Sequence, residues 1–409
     1  MKRIFLPFLV LIMIIIAGCS ESADTDEDGN KVIKLGLVDP LSGPGAVFGV
    51  PQQEAIHMAV DEINEEGIII NDETYKFELL EEDNQADPTE AINAVNKLID
   101  RDGVDFILGG ASSPPTVAIA ETFGDEQTVF AFGYAAQKEV TTQGNKNTFR
   151  TRAPSEYLGG STGAFAYENG DKKVAYVGQS DDTYTSFFEQ FKDTYLDMGG
   201  EVVAEEKFSL DDRDMKTQLT TAINKDPDAL VVPGYVEQAA FVYKQARELG
   251  FDGNIYGFTG GTEEQYLEIV SPEVMEGIYD VRPEEIPEES ERKESNIDFF
   301  ENYKKLYGDS SGSVGLYAYD QVYTLKNAIE ESQSLEPNDV MEAMANLTVP
   351  DEVTLNYYEI EGKMFDENGQ AYTPNVALVW KGEKWETAER LPSDPEKFSK
   401  IMSEESNNN

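Results

Sequence analysis

The sequence predicts an α/β protein built as two doubly wound, Rossmann-like lobes with parallel central sheets, joined by a hinge that the chain crosses more than once. Three observations lead there. From Val32 onward, short β-rich runs alternate with longer stretches of helical period. The alternation comes in two successive series, and the segments after the second series are too scattered to form a domain of their own.

Taken in order, the chain opens with Lys2 and Arg3, an uncharged apolar run over residues 4–16, and the tetrad Ile16-Ala17-Gly18-Cys19. The run is too short for a comfortable membrane span, and its flanks are those of a secretory signal, which places a signal peptide at 1–18. The tetrad resembles a bacterial lipobox, which makes Cys19 the expected lipidation site. Cys19 is also the single cysteine, so no disulfide can form within the chain and no thiolate catalyst is available to the folded part. Residues 19–31 are polar and acidic, without apolar periodicity, and read as a disordered tether.

The first series runs through strands in VIKLGLV, TYKFELLEED, DFILGG and TVFAF, with helices in between, and assigns 32–149 to lobe one. The stretch NTFRTRAP at 147–154 leads into a second series, from the helix EYLGGSTGAFAYE to the strand NIYGF, and assigns 150–282 to lobe two. Helical segments near 296–306, 315–330 and 338–345 follow, then β-like pieces VTLNYYEI, GKMFD and NVALVW. We read 283–352 as a return to lobe one, 353–390 as a return to lobe two, and 391–409 as a disordered tail. Repeated crossing makes a hinge.

Acidic residues outnumber basic ones 79 to 32, a net charge of −47. With no clustered cations, nucleic acid and anionic lipid surfaces are excluded as partners. Self-repulsion of that size destabilises a compact state unless salt screens it, which points to a halophilic, acidic surface working in a saline medium.

The residues that usually announce catalysis are scarce. His57 is the only histidine, and it falls within the helical run PQQEAIHMAVDEIN without a partner, which fits a packing or surface residue. Zinc sites built on Cys and His are excluded by count, and no metal or cofactor is expected. Carboxylate pairs such as Glu81-Glu82 arise readily in so acidic a chain. The stretch Asp366-Glu367-Asn368-Gly369 lacks the remaining ligands of a calcium loop and reads as a tight turn. More informative is Gly109-Gly110-Ala111-Ser112-Ser113-Pro114-Pro115. There a buried strand ends in small residues and enters a helix whose first turn carries prolines, with serine suited to the cap. Such a helix start presents unpaired N–H groups at the carboxyl end of a parallel strand, where a carboxylate can be held without a basic side chain. Taken alone, the motif is equally a capped helix and nothing more.

The opening IKLGLVDPLSGPGAVFG, then AVDEINEEG, DNQADPTEAINAVNKLI, FRTRAPSEY, KVAYVGQSDDTY, VVPGYVEQAAFVYKQARELG and GKMFDENGQ occur in an order and spacing that resemble the branched-chain amino-acid-binding family of ABC-transporter solute receptors. The likeness runs from Ile33 to about Trp385. It implies the type I periplasmic binding protein fold, ABC permease subunits as partners and a place outside the cytoplasm; with the lipobox-like tetrad at Cys19 that place is the outer face of the cell membrane, lipid-anchored, or the periplasm, while the scarcity of catalytic residues argues against an enzyme and a monomer is expected. It also implies that Ser113 meets the ligand's carboxylate, that Tyr134 and Ala136 offer backbone from the next loop, and that Phe48 covers the ligand from the first loop. Tyr184 and Tyr235 would close over it from lobe two.

One departure matters. Where amino-acid binders of this family place an acid against the ligand's ammonium, this sequence has Thr259 followed by two glycines. Either another acid such as Glu237 or Asp182 substitutes, or the ligand is an amide, a keto acid or an aromatic acid. Two other classes of function stay in view: a sensory module signalling through a membrane partner, and a hydrolase that would need a base beside Ser113.

Overall fold

The computed structural model describes Thr25 and residues 29–259, 261, 263–283, 292–308 and 310–391, with no account of the Asp182 side chain. The expected signal peptide, Cys19, most of the tether and the tail beyond 391 lie outside the described residues.

Lobe one is built on β1 (Lys31–Asp39), β2 (Ile68–Ile70), β3 (Glu73–Asp83), β4 (Phe106–Gly109), β5 (Val129–Phe132) and β6 (Thr148–Arg150), in the spatial order β2-β3-β1-β4-β5-β6. Its neighbours pair in parallel except β2 with β3. The sequence reading missed β2. It exists because Asn71 and Asp72 both adopt positive φ, the twist a two-residue hairpin needs, and fold Ile68–Ile70 back onto β3. Helices α1 (Ala46–Glu66), α2 (Pro88–Asn96) and α3 (Ser113–Phe123) connect the strands. Leu35, Leu37 and Leu108 are fully buried beneath α1 and later helices, each contributing roughly 1.5–3 kcal/mol.

Lobe two begins with α4 (Ser155–Glu168) and continues through β7 (Lys173–Gln179), α5 (Asp182–Asp197), β8 (Glu201–Phe208), α6 (Lys216–Ile223) and β9 (Ala229–Pro233). Next come α7 (Val236–Glu248), β10 (Asn254–Phe258), the short α8 (Glu263–Leu267) and α9 (Pro272–Met275), and β11 (Ile278–Pro283). The small residues of α4 have a packing reason. A side chain at Gly159 would meet the Phe187 carbonyl at 2.0 Å, so only glycine lets α4 and α5 approach this closely.

The chain then returns. Helices α10 (Glu294–Tyr307), α11 (Gly312–Ser332) and α12 (Pro337–Asn346) place Phe299, Leu316, Val322 and Met344 in the lobe-one core. Strands β12 (Asn375–Lys381) and β13 (Lys384–Leu391) add to the other sheet, giving the order β13-β12-β11-β10-β9-β7-β8.

The expected boundary at 353 is corrected. Val353, Leu355, Met364, Phe365 and Ala371 belong to the lobe-one core, and the chain enters the second sheet only at Asn375. VTLNYYEI and GKMFD form no strand; only Ile360 and Lys363 make an isolated bridge. Their backbone is satisfied otherwise. Buried Asp320 accepts from the Thr354 amide at 2.6 Å, the Thr354 hydroxyl at 2.8 Å, the Leu355 amide at 3.2 Å and the Tyr357 phenol at 2.9 Å, which replaces a ladder.

Two crossings lie side by side and are stitched together. The Arg150 amide donates to the Gly369 carbonyl (2.8 Å) and the Ala371 amide to the Arg150 carbonyl (2.9 Å). The Gln370 side chain takes the Arg150 Nε–H (2.7 Å) and gives its own N–H to the Arg152 carbonyl (2.8 Å). Asp366 caps the intervening turn, accepting from the Asn368 and Gln370 amides at 2.9 Å, so the 366–369 stretch is the tight turn its sequence suggests.

Candidate ligand-binding cleft

The carboxyl ends of β1, β4 and β5 converge on one loop cluster. Asp39 ends β1, and its carboxylate accepts from the Ala111 amide (2.9 Å) and the Gln52 side chain (2.7 Å), fixing the turn after β4. Gly110 has φ of +88°, and a side chain there would strike Phe132, so glycine is required for β4 to turn into α3. Burial pushes the Asp39 carboxyl up to about 7.

Ser112 is the α3 cap, but its side chain makes no capping bond, which departs from the reading of serine as cap. Ser113, one residue on, is turned across the loops. Its Oγ accepts the Ala136 amide at 2.9 Å and the Gln137 amide at 3.4 Å. Both bonds use the oxygen's lone pairs, so the hydroxyl proton is left to donate to a ligand oxygen. The Ala136 carbonyl is also engaged, accepting from the Ser155 amide (2.9 Å) and hydroxyl (3.2 Å). Ala136 therefore links lobe one to the start of α4.

Tyr134 forms the aromatic wall. Its ring stacks on Phe48 at 5.9 Å between centroids, and the Arg152 guanidinium lies 4.1 Å from the ring centre while Nη1 donates to the Tyr134 carbonyl at 2.8 Å. Phe48 sits in the first turn of α1 and not, as expected, in a loop.

Across the gap, Tyr184 in the first turn of α5 meets Tyr235 edge-on at 5.7 Å and Phe258 at 6.0 Å. Tyr235 stands just before α7, its amide donating to the Gln179 side chain at 3.2 Å, and is 44% exposed. Burial pushes both phenols up, Tyr184 well above the ordinary value, and the nearby Tyr134 hydroxyl adds to each shift. The expected aromatic residues form two groups, Phe48 with Tyr134 in lobe one and Tyr184 with Tyr235 and Phe258 in lobe two. Thr259 directly follows β10 in the second sheet, but its hydroxyl bonds the buried Tyr266 phenol and its amide donates to Asp280 at 3.2 Å. It is committed to the interior of lobe two.

His57 is elsewhere, paired with Glu81 at 2.9 Å on the exposed side of α1. Among the described residues the Ser113 hydroxyl bonds backbone amides and no base, so no hydrolytic pair is assembled. Among the described residues there is also no group of three His, Cys, Asp or Glu placed to hold a metal ion. Sequence reasoning missed Arg152 and Asp39. Nothing in a chain this rich in charge marks which charged side chain will be buried.

Over residues 32–384 the sequence matches the family of periplasmic binding proteins. The chain belongs to that family. This binding protein is 26% identical over 345 residues to the leucine-, isoleucine-, valine-, threonine- and alanine-binding protein of Pseudomonas aeruginosa, covering 84% of this chain and 88% of that one. It superposes on LivJ, the branched-chain amino acid transporter substrate-binding protein of Streptococcus pneumoniae solved with isoleucine, with a TM-score of 0.72 and 26% identity, covering 88% and 99% of the two chains. With the leucine-binding protein LivK of Thermotoga maritima the TM-score is 0.71 and the identity 26%, covering 89% and 99%. The binding protein thus has the type I periplasmic fold, and among the described residues no helix is long and apolar enough to cross a membrane.

Proposed function

We propose that this binding protein is the lipid-anchored, extracytoplasmic receptor of an ABC importer, and that it captures a small polar solute by closing its lobes. One observation carries the reading: on the two-lobed fold of the periplasmic binding proteins, the Ser113 hydroxyl and the Tyr134 ring stand at strand ends of lobe one, and the Tyr184–Tyr235 ring pair stands at strand ends of lobe two. That combination of a few placed polar groups and aromatic walls suits a ligand of amino-acid size. The names of its relatives point the same way, toward branched-chain amino acids, with amides, keto acids and aromatic acids as the chemically related set.

In this mechanism the Ser113 hydroxyl and the backbone around it hold the polar head. Tyr235 and Tyr184 then close over it, and these lobe-two contacts, made only when the lobes meet, are what favours the closed form. Permease subunits recognise that form, and a diacylated Cys19 keeps the receptor at the membrane. The binding protein acts as a monomer and performs no chemistry on its ligand.

A thermal-shift screen over amino acids, amides, 2-keto acids and aromatic acids tests the reading. At least one class should raise the melting temperature in a concentration-dependent way. A flat response to all four classes would remove the proposed function. Mass spectrometry of the mature protein tests the anchor, since an N-terminus without acyl groups at Cys19 excludes it.

A further inference from the structure

A buried carboxylate is bonded to the turn that carries Ser113. Asp39 is fully buried at the end of β1, and its two oxygens accept from the Ala111 amide at 2.9 Å and the Gln52 side chain at 2.7 Å. Ser113 follows Ala111 by two residues, which span at most about 7 Å, so the carboxylate lies within roughly 10 Å of the Ser113 backbone. Among the described residues no ion pair holds Asp39. Asp83 stands opposite it on β3, with its own carboxylate accepting from the Leu41 and Gln85 amides and the Ser42 hydroxyl. α1 meets Asp39 with Gln52, the turn between β4 and α3 meets it with Gly109 and Ala111, and α11 brings the neutral Gln321 against Gly109. Burial, opposed only by the bonds from Gln52 and the Gly110–Ala111 backbone, is what raises this carboxyl.

The Gln52 amide suits both charge states of its partner. It is fully buried, its Nε2 donates to Asp39, and its Oε1 has no hydrogen-bond partner. A carboxylate takes the N–H it is offered, whereas a carboxylic acid needs an acceptor. Half a turn of the amide puts Oε1 where Nε2 now stands, in reach of an Asp39 O–H. That turn forfeits no other bond, because no donor meets Oε1 in its present place. Asp39 can thus gain a proton while the Ala111 bond, and with it the turn into Ser113, stays in place.

Resting on the proposed function above, we propose that capture is coupled to a proton: a solute carboxylate arriving at Ser113 draws a proton from the medium onto Asp39 Oδ2. The two anions are separated by one short turn in a poorly screening interior, so the bound carboxylate favours the neutral acid. By linkage the reverse holds, and the protonated receptor binds the solute more tightly. Two unit charges about 10 Å apart at an effective dielectric of ~20 correspond to about tenfold in affinity. Capture therefore strengthens as the medium turns acidic, through a side chain that does not touch the solute.

The test is calorimetry on the full mature protein with three carboxylate probes, L-leucine, 4-methyl-2-oxopentanoate and benzoate. For a probe that binds, titration at about pH 7.5 in buffers of different ionisation enthalpy should show uptake of about half a proton. The dissociation constant should fall about tenfold between about pH 8.5 and about pH 5.5. Asp39→Asn copies the neutral acid, with an amide able to donate to Gln52. It should take up less than about 0.1 proton, bind equally within about twofold at both pH values, and bind about tenfold more tightly than wild type at about pH 8.5. A purely structural Asp39 would give a variant that binds more weakly at every pH, which overturns the inference. Asp320, whose carboxyl burial raises to about 6, is intact in the variant, so proton uptake that persists there belongs to another group and also overturns it. Zero uptake in the wild type overturns it without any variant, as does failure of all three probes to bind. The proposed function fails separately, and only if the thermal-shift screen is flat for amides and every other class.

Discussion

The candidate site residues of lobe one and of lobe two differ in how firmly they are held. In lobe one, Ser113, the 134–137 loop and the turn after β4 are bonded to one another through Asp39, Ala136 and Ser155. In lobe two, the rings of Tyr184 and Tyr235 meet only edge-on, and Tyr235 is nearly half exposed. The contrast separates two tasks. A polar head is recognised by donors and acceptors that must be fixed beforehand, since every rotor frozen on binding costs affinity. Closure needs surfaces that gain contacts only when the lobes meet.

The largest effect expected from breaking this arrangement lies beneath lobe one. Asp320→Ala should destabilise the protein by about 3–5 kcal/mol, because four donors of Thr354, Leu355 and Tyr357 lose a buried acceptor. Urea unfolding measures it, and a loss under about 1 kcal/mol would mean that residues 353–371 are not held to lobe one by this carboxylate.

Next in size, Tyr235→Ala should weaken ligand binding by about 2–4 kcal/mol in calorimetry while leaving the unliganded melting temperature almost unchanged, since the ring is only half buried before closure. Equal losses of affinity and stability would assign Tyr235 to the lobe-two core. Ser113→Ala should cost about 1.5–3 kcal/mol of affinity, the range for a hydrogen bond to a charged group, and should slow dissociation of no ligand tested. If it leaves affinity intact, the prepared half of the cleft lies elsewhere.

The smallest effect is a pH trend. Burial raises the Asp39 carboxyl to about 7 and the Asp320 carboxyl to about 6, whereas an unfolded aspartate titrates near ~3.9. Between those values the folded chain holds protons that the unfolded chain has released, so stability falls as pH rises from about 4 to about 7. Melting curves across that window should show the decline, and Asp39→Asn should flatten its upper part. An unaltered slope in the variant would mean that Asp39 does not titrate there.

The alternation of strand and helix was legible from Val32 to Phe258 because parallel strands buried on both faces write continuous apolar runs. The stretch after Val353 was not. VTLNYYEI has strand composition, but the side chain of Asp320, 34 residues before Thr354 and 35 before Leu355, takes the amides that a ladder would have used, and no local pattern records that. The cleft divides in the same way. Ser113, Tyr134, Tyr184 and Tyr235 lie just past the carboxyl ends of β4, β5, β7 and β9, where a parallel topology puts the loops of each sheet. Arg152 lies on the segment that crosses between the lobes, and its place against Tyr134 comes from burial, which is a property of the assembled lobes.

Gln370 gives the crossing segments a mechanical character. Because the Gln370 amide bonds both of them and the Arg150 guanidinium is clasped beside it, the paired linkers form a single bonded ribbon. Any displacement of one lobe against the other must therefore carry residues 150–152 and 369–371 together, since separating them breaks both the backbone pair and the Gln370 bonds.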